Sequence, residues 1–339
     1  MDSEKPKLLL TTSPFLKHHE DTAYIMWQVN YSLVPVVLSA VYFFGLSAVL
    51  VTAACVAGAA VPEWLISRFV RKKDTLKDGS ALITGVLLAL TLPPGISLWM
   101  AFVGGAISII LGKLIFGGIG YSIFNPALVG RAFLQAAFPE AMTTWSAHTT
   151  IRDFFILRGD NLALPFFKAE VSAITAATPL AQMKFDSQFA ELSDLFWGST
   201  SGSLGETCSV VILICGVYLG IRNVLNWRIP VGIFATVFIL AAILFWIDPA
   251  KHPTPTFHLF SGGLALGAIF MATDPVTSPI SQKGCWIFGI GIGILVMVIR
   301  IFGGLPEGVM YAVLIMNGVA PLINRVTQPR IYGTRKKET

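Results

Sequence analysis

The sequence predicts an all-α polytopic membrane protein, and three observations carry that prediction. Of 339 residues, 54% are hydrophobic and only 13% are charged, whereas soluble domains carry about 25% charged residues. Apolar runs of about 17–25 residues recur along the chain, each long enough as a helix to cross roughly 30 Å of hydrocarbon. The runs are continuous rather than alternating, which argues against a barrel.

Ten candidate spans follow one another: 24–44, 46–67, 79–98, 99–116, 121–138, 207–222, 229–247, 257–273, 284–302 and 307–324. Residues 1–23 are polar and charged and contain no apolar signal-peptide core, so no cleavable signal peptide is expected in this N-terminal segment. The third span is interrupted by Leu92-Pro93-Pro94-Gly95, and the eighth ends in Thr273-Asp274-Pro275. Proline removes a backbone donor and breaks a helix, so both places free backbone groups that need a partner or a cavity.

The two halves resemble each other. The stretch GSALITGVLLALTLPPGIS (79–97) parallels SGGLALGAIFMATDPVTSPIS (261–281), and LIFGGIGYSIFNPALVGRAF (114–133) parallels RIFGGLPEGVMYAVLIMNGVAPL (300–322). This predicts two five-helix repeats, 24–138 and 207–324. An odd helix count per repeat makes the second inverted, an arrangement that places sites near the bilayer midplane.

Charge orients the chain. The net charge is +5, but residues 139–206 hold eight acids and four bases, a local −4 within a chain that is otherwise +9. Basic clusters at 68–77, 222–228 and the 325–339 tail face the cytoplasm by the positive-inside tendency. Both termini are then cytoplasmic, and the 139–206 loop lies on the outer side. The basic balance reports orientation and lipid contact, not nucleic-acid binding.

The four cysteines, Cys55, Cys208, Cys215 and Cys285, form no CxxC pair and suit apolar packing. The five histidines, His18, His19, His148, His252 and His258, have no metal-ligand spacing and fall at edges and in loops. Walker A and nucleophile-elbow motifs are absent from the sequence.

Thr175-Ala176-Ala177-Thr178-Pro179-Leu180 lies in the long outer loop. Pro179 disfavours helix at Thr178 and pushes it toward extended backbone, while two alanines leave the hydroxyl accessible to a modifying enzyme. The same pattern equally serves loop or helix-cap chemistry. Intramembrane polar residues form a second group: Arg131 after Asn125-Pro126, Asp274 in the second break, and Asn317 in the last span. A charge at the bilayer centre costs at least ~2.5 kcal/mol. Arg131 therefore suits an anionic cofactor group, and Asp274, Asn125 and Asn317 suit an ion path, with closure of the protein core as the alternative. Arg300 and Glu307, flanking Gly303-Gly304, either share such a role or snorkel at the outer interface.

Five segments together resemble the NqrB/RnfD family, and within it the RnfD component of the Rnf-type ion-translocating electron-transport complex: DGSALITGVLLALTLPPG (78–95), IFNPALVGRAFL (123–134), TAATPL (175–180), GGLALGAIFMATDPVTSP (262–279) and FGGLPEGVMYAVLIMNGVAPLI (302–323). The resemblance runs from about residue 13 to residue 333. The NqrB component of the sodium-pumping NADH:quinone oxidoreductase is the next nearest relative. The resemblance implies a fold similar to urea and ammonium transporters, in a bacterial inner membrane. It also implies electron transfer between ferredoxin and NAD coupled to Na⁺ or H⁺ movement. It places a covalent FMN on Thr178 through a phosphoester, made by a periplasmic flavin transferase, with Thr175, Ala177 and Pro179 forming the surrounding motif. It further implies partner subunits, one carrying a second threonine-linked FMN, and room for a second, non-covalent flavin such as riboflavin. One departure stands out: Ser172 and Ala176 occupy positions where the family pattern often has Asp and Gly. A quinone-reducing relative and a flavin-free solute channel are the competing functions.

Overall fold

A computed structural model describes residues 21–71, 75–146, 154–155, 157, 159, 161–164, 177–186, 188–206, 208–249 and 251–328. The described residues are helical, with no β-strand among them. The first half contains α1 (Thr22–Phe44), α2 (Leu46–Ile66), α3 (Ser80–Leu90), α4 (Leu98–Ile109) and α5 (Pro126–Ala137). Short helices α6 (Pro139–Thr143), α7 (Pro179–Ala181) and α8 (Leu192–Trp197) belong to the long loop. The second half contains α9 (Ser209–Ile221), α10 (Arg228–Ile247), α11 (Pro255–Phe260), α12 (Leu264–Leu266), α13 (Gln282–Phe302) and α14 (Val309–Thr327).

Among the described residues, five helices are long and apolar enough to cross a membrane: Thr22–Phe44, Leu46–Phe69, Arg228–Ile247, Gln282–Phe302 and Val309–Thr327. Ser80–Leu90, Leu98–Leu114 and Ser209–Ile221 are apolar but shorter. The expected spans at 79–98 and 257–273 are each divided. The first stops at Leu90, ahead of the two prolines, and the second consists of α11, α12 and a π-helical turn, Gly267–Met271.

Sequence chemistry explains where these helices start and turn. Asn125 caps α5 by accepting from Ala127 N at 3.0 Å, with Pro126 in the first turn, where a missing N–H costs nothing. Ser281 caps α13 by accepting from Gly284 N at 2.9 Å. Between α1 and α2 the chain turns at Gly45, whose φ of +64 favours glycine. A Cβ there would also lie 2.6 Å from the Phe154 carbonyl oxygen.

The two halves pack by the same device. α2 lies along α4 with Gly58 against the Phe102 backbone and Gly105 against the Cys55 backbone. α10 lies along α13 with Gly289 against the Ile229 backbone and Gly293 against Thr236. Small residues let helix backbones approach closely where lipid removes the hydrophobic drive. One core runs through both halves, from Leu33, Phe44 and Leu88 in the first to Phe288, Ile292 and Val313 in the second.

The freed backbone groups at the first break find partners in the segment that closes the long loop. Gly205 N donates to Leu90 O at 2.7 Å, and Leu204 N donates to Leu92 O at 3.1 Å. Asn161 Nδ2 donates to Pro94 O at 3.2 Å, and Leu98 N donates to Asn161 O at 3.0 Å. At the second break Asn125 Nδ2 donates to Met271 O at 3.2 Å. The long loop is thus partly built into the helical body, and it carries Glu206 in with it.

Candidate functional site

Thr178 stands at the start of α7. Its backbone is extended, with φ −69 and ψ 153, and Pro179 occupies the first helical position. Its Oγ1 accepts from Ala181 N at 3.2 Å, so the hydroxyl caps the turn. The extended backbone agrees with the sequence expectation. The expected accessibility does not, since Thr178 is only 3% exposed. The cap geometry turns the side chain back onto its own helix, and Pro179 and Leu180 are buried with it. Thr175, Ser172 and Ala176 lie outside the described residues. Ala177 is described, and its carbonyl accepts from Ser201 Oγ at 2.7 Å.

Two contacts fix this turn against the helical body. Leu180 packs with Leu195 and Phe257, and it sits so close to Gly262 that a Cβ there would lie 2.6 Å from Leu180 Cδ1. Lys184, in the next turn, donates to the carbonyls of Arg300 at 3.0 Å and Leu305 at 3.2 Å, and also to that of Gly303. These carbonyls lie at or just beyond the C-terminus of α13, the end that favours a cation. Partial desolvation holds the Lys184 ammonium below the ordinary lysine pKa.

On the other side of Gly262 and Gly263 lies a cluster of buried charges. Arg131 Nη2 donates to Glu307 Oε2 at 2.8 Å, with side-chain exposures of 10% and 17%. Glu307 Oε1 accepts from Gly263 N at 3.3 Å. Glu206 Oε2 accepts from Ser203 N at 3.3 Å, and its Oε1 lies 3.4 Å from where a Cβ on Gly263 would stand. Arg300 is fully buried and donates to His258 O at 2.6 Å and Ser261 O at 2.8 Å. The snorkelling alternative for Arg300 therefore fails: its guanidinium turns inward to cap freed carbonyls of the 258–261 segment.

This cluster opens on a recess of about 680 Å³, counting its mouth, lined among others by Arg131, Gln135, Trp145, Ser203, Glu206 and Tyr311. Arg131 thus reaches a recess near the Thr178 turn, but its guanidinium is already paired with a carboxylate. Glu206 escaped sequence reading. Its signal was an acid at the junction between an acidic loop and an apolar run, and nothing local pairs it with Glu307.

The predicted ion-path residues divide. Asn125 and Asp274 line one recess of about 790 Å³, counting its mouth, together with Ser80, Thr84 and Lys113. Asp274 caps its own turn, accepting from Val276 N at 3.1 Å and Thr277 Oγ1 at 3.4 Å. Beside it, Lys113 Nζ donates to Glu63 Oε1 at 2.5 Å and Ser80 Oγ at 2.6 Å, and Ser80 Oγ donates to Asp78 Oδ1 at 2.6 Å. Asn317 does not line this recess. It is 1% exposed in α14, and neither amide atom has a hydrogen-bond partner among the described residues.

Comparison with known proteins gives the family. The model of the NQR2, RnfD, RnfE family matches residues 9–333. The chain is 39% identical over 337 residues to the D component of the proton-translocating ferredoxin:NAD(+) oxidoreductase complex of Clostridium ljungdahlii, covering 96% of each chain. It is 42% identical over 331 residues to the D component of the ion-translocating oxidoreductase complex of Stutzerimonas stutzeri, covering 91% of each. It is 38% identical over 333 residues to the D component of the Na(+)-translocating ferredoxin:NAD(+) oxidoreductase complex of Acetobacterium woodii, covering 97% of this chain and 96% of the relative. With the family match spanning both halves, both breaks and the Thr178 turn, the chain belongs to the NQR2, RnfD, RnfE family.

Proposed function

We propose that this chain is the membrane-embedded RnfD component of an ion-translocating ferredoxin–NAD electron-transport complex, and that it carries electrons through an FMN esterified to Thr178. The observation that carries the proposal is near full-length similarity to the D components of such complexes. The intact Thr-x-Ala-Thr-Pro-Leu end supports the attachment point.

The residues present fit the group. Thr178 supplies a hydroxyl on extended backbone outside any helix interior. Oγ1 as an ester oxygen retains a lone pair for Ala181 N, so esterification is compatible with the cap. Because Thr178 is buried in the closed turn, the transferase must meet the hydroxyl before the turn seats or while it is open. Gln135, Trp145 and Tyr311 line the nearby recess and offer an amide and two aromatic side chains for the cofactor, and Arg131 lines it as one half of its pair with Glu307. When bound, FMN supplies reversible electron transfer, and the protein supplies position and local charge. Lys184 and Leu180 hold the attachment turn against the helical body and so limit the wandering of any group tethered there.

The same proposal includes two inverted five-helix repeats, with α3 and the α11–α12 segment as broken helices. It places both termini in the cytoplasm and the 139–206 loop in the periplasm of a bacterial inner membrane. It makes a periplasmic flavin transferase and the remaining members of the complex, including a second flavin carrier, the partners. The recess around Asn125 and Asp274 is the place for a second, non-covalent flavin or for part of an ion path. Its relatives bear names for proton and for sodium translocation, so the proposal covers either ion.

The test is in-gel flavin fluorescence of the tagged chain from cells containing the transferase. Wild type fluoresces after denaturation, Thr178→Ser retains an acceptor hydroxyl, and Thr178→Ala is dark. Fluorescence in Thr178→Ala would move the attachment elsewhere. A dark wild type with all partners co-purifying would leave only a scaffold role.

A further inference from the structure

We propose that Glu206 and Glu307 bind one exchangeable proton between them, making a proton-loading site on the face of the molecule that carries Thr178. The inference stands on the carboxyl pair itself and does not require the flavin.

Both oxygens of Glu307 are occupied, Oε2 by Arg131 at 2.8 Å and Oε1 by Gly263 N at 3.3 Å. Glu206 Oε2 takes Ser203 N at 3.3 Å. Glu206 Oε1 is buried and has no donor among the described residues. It lies 3.4 Å from the position of a Cβ on Gly263, the same residue whose N–H meets Glu307. The Glu307 carboxyl, a second acceptor, meets the same Gly263 through its N–H, so the two carboxyls converge on one residue. A bare, buried carboxylate oxygen against another carboxylate is costly. One proton converts that contact into a strong hydrogen bond.

A second observation points to the same space. Arg131 Nε, on a residue 8% exposed, also lacks a partner among the described residues and belongs to a side chain lining this recess. The recess holds more polar capacity than its own contacts use. Gln135, Thr143, Trp145 and Tyr311 around it give water a polar route to the pair.

The charged and titratable groups around the pair favour a proton over a metal cation. Arg131 of α5 and Arg300 of α13 both act electrostatically on the carboxyls. Lys184 adds a cation on the 303–305 carbonyls, and His258 of α11 packs beside Arg300. Arg300 commits its Nη donors to backbone carbonyls, so it contributes charge without satisfying Glu206 Oε1. A sodium ion would need several oxygen ligands while lying among guanidinium groups. A shared proton needs only the two carboxyl oxygens. When Glu206 ionises, the proton leaves for water through the recess, and when it is neutral, its O–H donates to Glu307.

The test is infrared difference spectroscopy of the full chain during a pH change at constant sodium. Wild type should show the carbonyl stretch of one protonated carboxylic acid, downshifted in D2O. That band should vanish in Glu206→Gln and in Glu307→Gln and persist in Asp274→Asn. A band unchanged in both glutamine variants would overturn the site. A band that follows sodium at constant pH would assign it to a metal cation instead. Wild-type protein with ¹³C-labelled glutamate provides a check that needs no variant: absence of any isotope-shifted, D2O-sensitive glutamic acid band would equally overturn the proposal.

Discussion

Arg131, Glu206, Glu307 and Arg300 come from four separate segments and meet around Gly262 and Gly263. Their pairing crosses 176 residues in the case of Arg131 and Glu307. Arg131 falls within a span, where a lone charge is costly, and its carboxylate partner Glu307 accounts for it there. Sequence reading could not name that partner, because hydrophobic periodicity reports only neighbours along one helix. Thr178 shows the same limit. Pro179 predicts the extended backbone, but burial depends on Leu180 docking against Phe257 and Gly262, far along the chain. The ion pair yields a residue-scale prediction. Arg131→Ala leaves Glu307 buried with one lost partner and should destabilise the protein by about 3 kcal/mol. Thermal unfolding in detergent checks this, and an unchanged midpoint would show that Glu307 is satisfied in another way.

Helix breaks are the elements that sequence reading located best. Leu92-Pro93-Pro94-Gly95 and Thr273-Asp274-Pro275 both end helices, for the reason proline gives in advance. What occupies the freed carbonyls was hidden, because Leu204 and Gly205 carry no local mark of their pairing with Leu92 and Leu90. Helix lengths were also overstated wherever an apolar run continued through a break, as in 257–273. The glycine contacts between helices carry no local mark in the sequence. Gly105 is a case where the contact decides the outcome, since a Cβ there would lie 2.4 Å from Cys55 O. Gly105→Val should force α2 and α4 apart and cost about 1–3 kcal/mol. A lowered unfolding midpoint checks it, and wild-type stability would show that the helices separate without penalty.

At the scale of the molecule, the Thr178 turn and the recess around Asn125 and Asp274 lie toward opposite ends of the helical body. Lys184 binds the C-terminal end of α13, a 21-residue helix, which spans about 30 Å at 1.5 Å per residue. Lys283 lies in the first turn of the same helix and Phe185 follows Lys184, so the two mark opposite faces. Phe185→Cys and Lys283→Cys, each in a Cys208→Ser background, should label from outside and from inside the cell respectively with an impermeant maleimide. The reverse pattern would invert the proposed orientation. Charge distribution is the part of the sequence that predicts this orientation, and the labelling pattern decides it. The central claim is the ester on Thr178, and mass spectrometry of the peptide spanning 170–184 tests it most directly. The account predicts a mass increase of one FMN less one water, localised to Thr178 in protein from cells that contain the transferase. An unmodified peptide from such cells would contradict it.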